Sequence, residues 1–280
     1  MKPVPAVPID GGEVVVAGDV ALEIFRTGSG RPLLLVPGMD GIEGALDLIR
    51  RLSSDFEVIA VSPPGFGASD MPRHVSSVDD ASYILLDLIE KLDIEDAVAV
   101  GLSLGGWFAT EALVKNDTRI SQLILAAPLG LKVADRDEPE MTDIFMLTAA
   151  DAEHRQQRTE RKTPDLTALS ETELRRVLRN REAVSLFGWS PYLNNPKLRH
   201  RLHRLKLPTL VLWGRQDALI PAASGSAFAD LIPNAELQFV EDAGHRLYSD
   251  RPEELAAQIL HFAGNPIVKK EHDHAGLAIQ

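Results

Sequence analysis

The stretch Gly101-Leu102-Ser103-Leu104-Gly105-Gly106 constrains this chain more than any other, because it reads G-x-S-x-G where an apolar run, 97–100, gives way to a helical pattern. A strand that turns directly into a helix brings its backbone against its neighbours, so the flanking positions have room for glycine and little else. Ser103, at the apex, is then lifted from the strand end as a candidate nucleophile. A bare motif of this length is equally a loop with a helix-capping serine. Its weight rests on what lies downstream.

Two further apolar runs end in turns of complementary chemistry. After 208–213 comes Gly214-Arg215-Gln216-Asp217, and after 236–240 comes Asp242-Ala243-Gly244-His245. Serine is a poor nucleophile at neutral pH. It needs an imidazole to take its proton, and the imidazole needs a carboxylate to fix its tautomer and stabilise its charge. Ser103, Asp217 and His245 offer these groups in that order, each just past a strand, where the loops of a parallel α/β sheet converge. On the residues alone Asp242 is a competing carboxylate, three positions before the histidine.

Strand and helix patterns alternate along the chain with a single interruption. Strands are expected at 13–16, 21–26, 32–36, 58–61, 97–100, 121–125, 209–213 and 236–239, and helices at 43–53, 78–92, 104–115, 222–231 and 252–262. The first two strands read as an antiparallel edge hairpin turning at Gly18-Asp19, and the later apolar runs, separated by helices, as buried parallel strands. From Pro128 to about Leu205 the alternation fails, although helical patterns persist at 142–147 and 171–181. This stretch is too long for an ordinary connection and reads as a mostly helical lid over Ser103. The expected organisation is a core of 1–129 and 206–264, a helical cap of 130–205 and a flexible tail of 265–280. In the tail His272 and His274 offer one spacing and no third partner, so they read as surface histidines and no metal site is expected.

Phe145, Met146, Phe187, Trp189 and Tyr192 are the apolar and amphipathic residues of the cap, and pockets are commonly lined this way. They are candidate substrate contacts. So is Trp107, four residues after Ser103, with core packing the competing reading for each.

A length of 280 residues suits one large core with an insertion, and no apolar run approaches bilayer-spanning length. The N-terminus shows no secretory signal pattern, and the absence of cysteine excludes disulfides and thiolate catalysis. A cytoplasmic protein without membrane insertion is expected. The net charge of -12 argues against a nucleic-acid partner. The acidic excess lies outside 131–206, where Lys and Arg slightly outnumber Asp and Glu, so a solvated basic cap on an acidic body and a positive rim steering anionic substrates both fit.

Taken together, these motifs resemble the α/β-hydrolase fold family over about 14–262. Besides the serine turn, Gly-Arg-Gln-Asp and Ala-Gly-His, the segment Leu33-Leu34-Leu35-Val36-Pro37-Gly38-Met39-Asp40-Gly41 resembles the family's oxyanion loop. Ser62-Pro63-Pro64-Gly65-Phe66-Gly67-Ala68-Ser69-Asp70 resembles its D-x-P-G-x-G-x-S turn. The family often has His at the position of Pro37 and Asp at that of Ser62. The resemblance implies a mostly parallel eight-stranded sheet with helices on both faces and a helical lid after strand six. It selects Asp217 over Asp242 and places the oxyanion hole at the backbone N–H groups of Met39 and Leu104. It also implies a cofactor-independent serine hydrolase that cleaves a small or medium ester or other acyl compound. The family further includes C–C bond hydrolases, perhydrolases and noncatalytic ligand binders. His245-Arg246-Leu247-Tyr248 lacks the Trp usual after the histidine in C–C hydrolases of the meta-cleavage type, and Ser103 stands where haloalkane dehalogenases and common epoxide hydrolases have Asp.

Overall fold

A computed structural model describes residues 9–134, 141–144, 146–148, 151, 155 and 166–264. Eight strands form one sheet: β1 (Gly12–Ala17), β2 (Val20–Gly28), β3 (Arg31–Val36), β4 (Phe56–Val61), β5 (Ala97–Leu102), β6 (Ile120–Ala126), β7 (Thr209–Gly214) and β8 (Ala235–Val240). Their spatial order is β1-β2-β4-β3-β5-β6-β7-β8. The β1–β2 hairpin is antiparallel, with Gly18 at φ +60° in its turn, and β2 runs antiparallel to β4. The remaining pairings are parallel.

The helices are α1 (Gly41–Leu52), α2 (Val78–Lys91), α3 (Leu104–Leu113), α4 (Glu171–Gly188), α5 (Ala222–Leu231), the short α6 (Leu247–Asp250) and α7 (Pro252–Gly264). They cover both faces of the sheet, which is why its central strands are apolar at nearly every position. Strand alternation sorts the side chains into two cores. Leu34, Val36, Ala99, Leu123, Val211 and Trp213 meet α2, α3 and parts of α4 and α5. Leu33, Leu35, Val98, Val100, Ile124 and Leu212 meet α1, α6 and α7. In α1 the buried Ile42, Ala45, Leu48, Ile49 and Leu52 recur at helical spacing and form the stripe that docks.

β3 sits between β4 and β5, so the chain leaves it to one side and returns on the other. A crevice at the carboxyl ends of strands, where the order reverses, is where such sheets hold ligands. The loops after β3 and β5 carry Met39 and Ser103.

Between β6 and β7 the described residues hold α4 and 3₁₀ turns at Leu166–Ala168, Leu198–His200 and Leu202–Arg204. The helix expected at 142–147 does not form among its described residues, which are turn, bend and irregular chain. Six residues barely exceed the costly helical nucleus. Its N–H groups bond elsewhere instead: Thr142 donates to the Leu219 carbonyl at 3.2 Å and Ile144 to the Tyr192 hydroxyl at 2.7 Å. Phe145 and the tail with His272 and His274 lie outside the described residues. No helix among those described is long and apolar enough to cross a membrane.

Candidate active site

Ser103 adopts φ 50° and ψ -115° between β5 and α3, a left-side conformation costly for a residue with a Cβ. The surroundings over-determine it. Its N–H donates to the Ala126 carbonyl at 2.9 Å, and its own carbonyl accepts from Gly106 and Leu129, both at 3.0 Å. A Cβ at Gly101 would stand 2.6 Å from Gly106 Cα, and one at Gly105 would stand 2.1 Å from the Val36 carbonyl oxygen and 2.3 Å from that of Pro37. Those contacts are with backbone, which cannot swing aside. The turn therefore demands glycine at both positions, and the second also seats α3 against the loop after β3.

Ser103 Oγ lies 2.7 Å from His245 Nε2, and His245 Nδ1 lies 2.9 Å from Asp217 Oδ2. All three side chains are buried. The other oxygen of Asp217 accepts the N–H groups of Leu219 and Ile220 at 2.8 and 2.9 Å, so the carboxylate is oriented from its own turn. Gly244 N–H donates to Asp250 Oδ2 at 2.8 Å, holding the histidine loop from α6. Asp242 is directed elsewhere: its Oδ2 accepts from Arg251 at 2.8 Å.

Leu104 is the first residue of α3, and such a position has no intrahelical acceptor for its N–H. The Met39 N–H has no acceptor among the described residues. Gly38, beside it, comes close enough to Ser103 that an added Cβ would lie 3.4 Å from Ser103 Cβ. The loop after β3 thus approaches the serine through Gly38, the residue before Met39.

The remaining aromatic candidates are engaged with protein or solvent. Phe187 is buried edge-on against Phe108, with ring centroids 5.2 Å apart. The Trp107 indole donates to Glu111 Oε1 at 3.3 Å and fills the space beside Gly130. The Tyr192 hydroxyl accepts from Ile144 N–H and donates to the Thr142 carbonyl. Burial pushes that phenol up to about 12, with Asp143 adding to the shift. Met146 and Trp189 are 81% and 71% exposed, so neither lines a closed pocket. These positions favour the packing reading for Trp107, Phe187 and Tyr192 and leave Met146 and Trp189 at the surface, while their part in substrate contact stays an expectation. Burying a large apolar side chain is worth about 1.5–3 kcal/mol wherever it happens, and composition alone does not distinguish a pocket wall from a docking seam.

A polar cluster between β2 and α4 follows no short motif. Glu23, buried in β2, accepts both terminal nitrogens of Arg176 from α4, at 2.8 and 2.9 Å, as well as Ile9 N–H at 2.6 Å, Ser62 Oγ at 2.8 Å and Ala68 N–H at 3.1 Å. Burial alone would raise the Glu23 carboxyl, but Arg176 and these N–H donors outweigh it and hold it below the ordinary range. Arg176 also pairs with Glu43. Arg179 donates to the carbonyls of Gly67 and Ser69, and Asn180 accepts Gly67 N–H. The cluster explains the serine at position 62. Glu23 already supplies a buried negative charge there, so a donor fits and a second carboxylate would not. The sequence signal was a glutamate inside the apolar strand 20–28.

A family model described as alpha/beta hydrolase fold matches residues 31–252. The chain is 28% identical to a poly(3-hydroxyalkanoate) depolymerase of Ectopseudomonas oleovorans, over 82% of this chain and 83% of that protein. It is 27% identical to a pimeloyl-[acyl-carrier protein] methyl ester esterase of Vibrio vulnificus, over 85% and 96%. It is also 28% identical to a 2-hydroxy-6-oxononadienedioate/2-hydroxy-6-oxononatrienedioate hydrolase of Paraburkholderia phymatum, over 85% and 89%. Among solved structures it matches a serine hydrolase involved in carbazole degradation with a TM-score of 0.74 at 22% identity, covering 90% of this chain and 98% of that one.

Proposed function

The chain belongs to the alpha/beta hydrolase fold family, and on that premise we propose that it is a serine hydrolase cleaving a small or medium ester or related acyl compound through an acyl-enzyme on Ser103. The observation that carries this reading is the continuous line Ser103 Oγ, His245 Nε2, His245 Nδ1, Asp217 Oδ2 at 2.7 and 2.9 Å. His245 accepts the hydroxyl proton as Oγ attacks the carbonyl carbon, and Asp217 stabilises the imidazolium. The negative charge moving onto the carbonyl oxygen is met by the N–H groups of Leu104 and Met39. His245 then protonates the leaving alcohol. Water, deprotonated by the same ring, attacks the acyl carbon, and the returning proton restores Ser103.

Relatives named as an esterase and a depolymerase support acyl chemistry. The stretch 130–205 is read as the cap, held to the body through α4. A cytoplasmic location belongs to the same reading and is supported by the cysteine-free composition. A fluorophosphonate probe with peptide mapping, run beside p-nitrophenyl esters of increasing acyl length, tests it. Labelling at Ser103 with turnover of short or medium esters is expected. Absence of labelling, or a label on another residue, would overturn the assignment.

A further inference from the structure

Asp40 directly follows Met39 and stands at the N-cap of α1, yet its side chain makes no bond to its own helix. It reaches across to the histidine loop instead. Oδ1 accepts from Arg246 Nη2 at 3.2 Å and Oδ2 from the Tyr248 hydroxyl at 2.9 Å. These partners follow His245 by one and three residues. Tyr248 is 5% exposed, and its hydroxyl reaches the loop a second time: a Cβ at Gly38 would lie 3.3 Å from it and 3.4 Å from Ser103 Cβ. Asp40, Tyr248, Gly38 and Ser103 are therefore contiguous.

We propose that Asp40 is a positioning residue which, through Arg246 and Tyr248, holds the loop of the Met39 N–H and the loop of His245 at a fixed separation. This rests on the roles given to Ser103, Met39 and His245 above. Two elements distant in sequence must present a hydrogen-bond donor and a base to one carbonyl group, and a misplacement of about 1 Å at such a site can cost about 10²-fold in rate. The charge arrangement has its own logic. A carboxylate one residue from an oxyanion donor opposes the negative charge forming on the substrate oxygen, and the Arg246 guanidinium offsets it. Arg246 thus ties the loops together and neutralises the anion that it holds.

The test is steady-state kinetics on a p-nitrophenyl ester with thermal unfolding, for Asp40→Asn, Tyr248→Phe, Arg246→Met and the Asp40→Asn/Arg246→Met double variant. Asp40→Asn and Tyr248→Phe are close in shape to the native residues and keep the packing. Each single variant is expected to lower kcat about tenfold or more with KM within about twofold, the pattern of a loss felt in the transition state. Arg246→Met should be the worst, and adding Asp40→Asn to it should recover part of kcat because the unpaired carboxylate is removed. Unfolding temperatures that drop while kcat stays at the wild-type value would overturn the proposal, as would strictly additive losses in the double variant. Ser103→Ala serves as the control: if it keeps activity, the parent reading fails, whereas its inactivity beside fully active Asp40 and Tyr248 variants would sink the positioning role alone.

Discussion

All ten residues of α3 are buried, whereas six of the eighteen in α4 are. α3 starts at the candidate nucleophile and α4 packs on Glu23, Glu43 and the loop after β4, and they are held in different ways. α3 is apolar around its circumference and is wedged between sheet, α2 and the loop after β3, so backbone contacts at Gly101 and Gly105 fix its start. α4 is capped by Ser170 and Glu173, carries charge over most of its surface and meets the body through Arg176, Arg179, Asn180 and Phe187. The first is seated by shape and the second by polar side chains. A nucleophile needs a position that does not yield, which backbone wedging provides. An inserted helix needs a specific seat on loops whose N–H and C=O groups already require partners, and arginine and asparagine supply them.

This contrast predicts that substitutions at the start of α3 act on chemistry, and those on α4 act on stability. The largest effect is expected for Ser103→Ala, a loss in kcat of about 10³-fold or more with little change in unfolding temperature. Asp217→Asn should follow, and Asp242→Asn should do far less, since Asp242 pairs with Arg251. Equal damage from the two aspartate variants in the same ester assay would show that the orienting carboxylate is misassigned.

On the α4 side, Arg176→Met leaves the buried Glu23 carboxylate without its counter-charge, which typically costs about 3–5 kcal/mol, and Glu23→Gln should cost less because Arg176 keeps its pair with Glu43. Chemical denaturation should register that loss directly. The acid dependence has a defined sign. Because the folded Glu23 carboxyl lies below its ordinary value of 4.5, its contribution is complete above that pH and is lost as pH falls through the lower folded value. Glu23→Gln should remove this part of the acid sensitivity. A variant with wild-type stability and altered kcat would reverse the division between the two helices.

Smaller again, and graded within one helix end, are Phe187→Ala and Trp189→Ala. The first removes a buried ring packed on Phe108 and should cost about 3 kcal/mol. The second removes a side chain 71% exposed and should stay within about 0.5 kcal/mol. Both should leave the acyl-length preference unchanged. A shift in that preference for Trp189→Ala, measured as kcat/KM on short against long esters, would return this residue to the substrate path.

The residues that the sequence made legible are those whose chemistry is written in a few adjacent positions. Ser103 announces itself because a strand-to-helix turn excludes side chains on either side. Asp217 and His245 each follow a strand pattern, fully buried in β7 and half-buried in β8. The limits of the strands and of the body helices moved by two residues or fewer, since they depend on local hydrogen bonding at the ends, whereas the helix expected at 171–181 runs on to Gly188. The stretch 142–147 was misread because its apolar spacing is helical while its N–H groups are taken by Leu219 and Tyr192.

What the sequence by itself determined is therefore the alternating α/β order and the turn at Ser103, set by short-range sterics and periodicity, with His245 and two carboxylates offered after later strands and Asp217 chosen between them by the family resemblance. Tertiary structure alone decided which aromatic side chains fill docking seams, that Glu23 answers Arg176 across 153 residues, and that Asp40 answers Arg246 and Tyr248 across more than 200. Such partners share no local pattern. They meet because strand order carries distant loops to the same end of the sheet, and a buried charge is tolerated where that return supplies its counterpart.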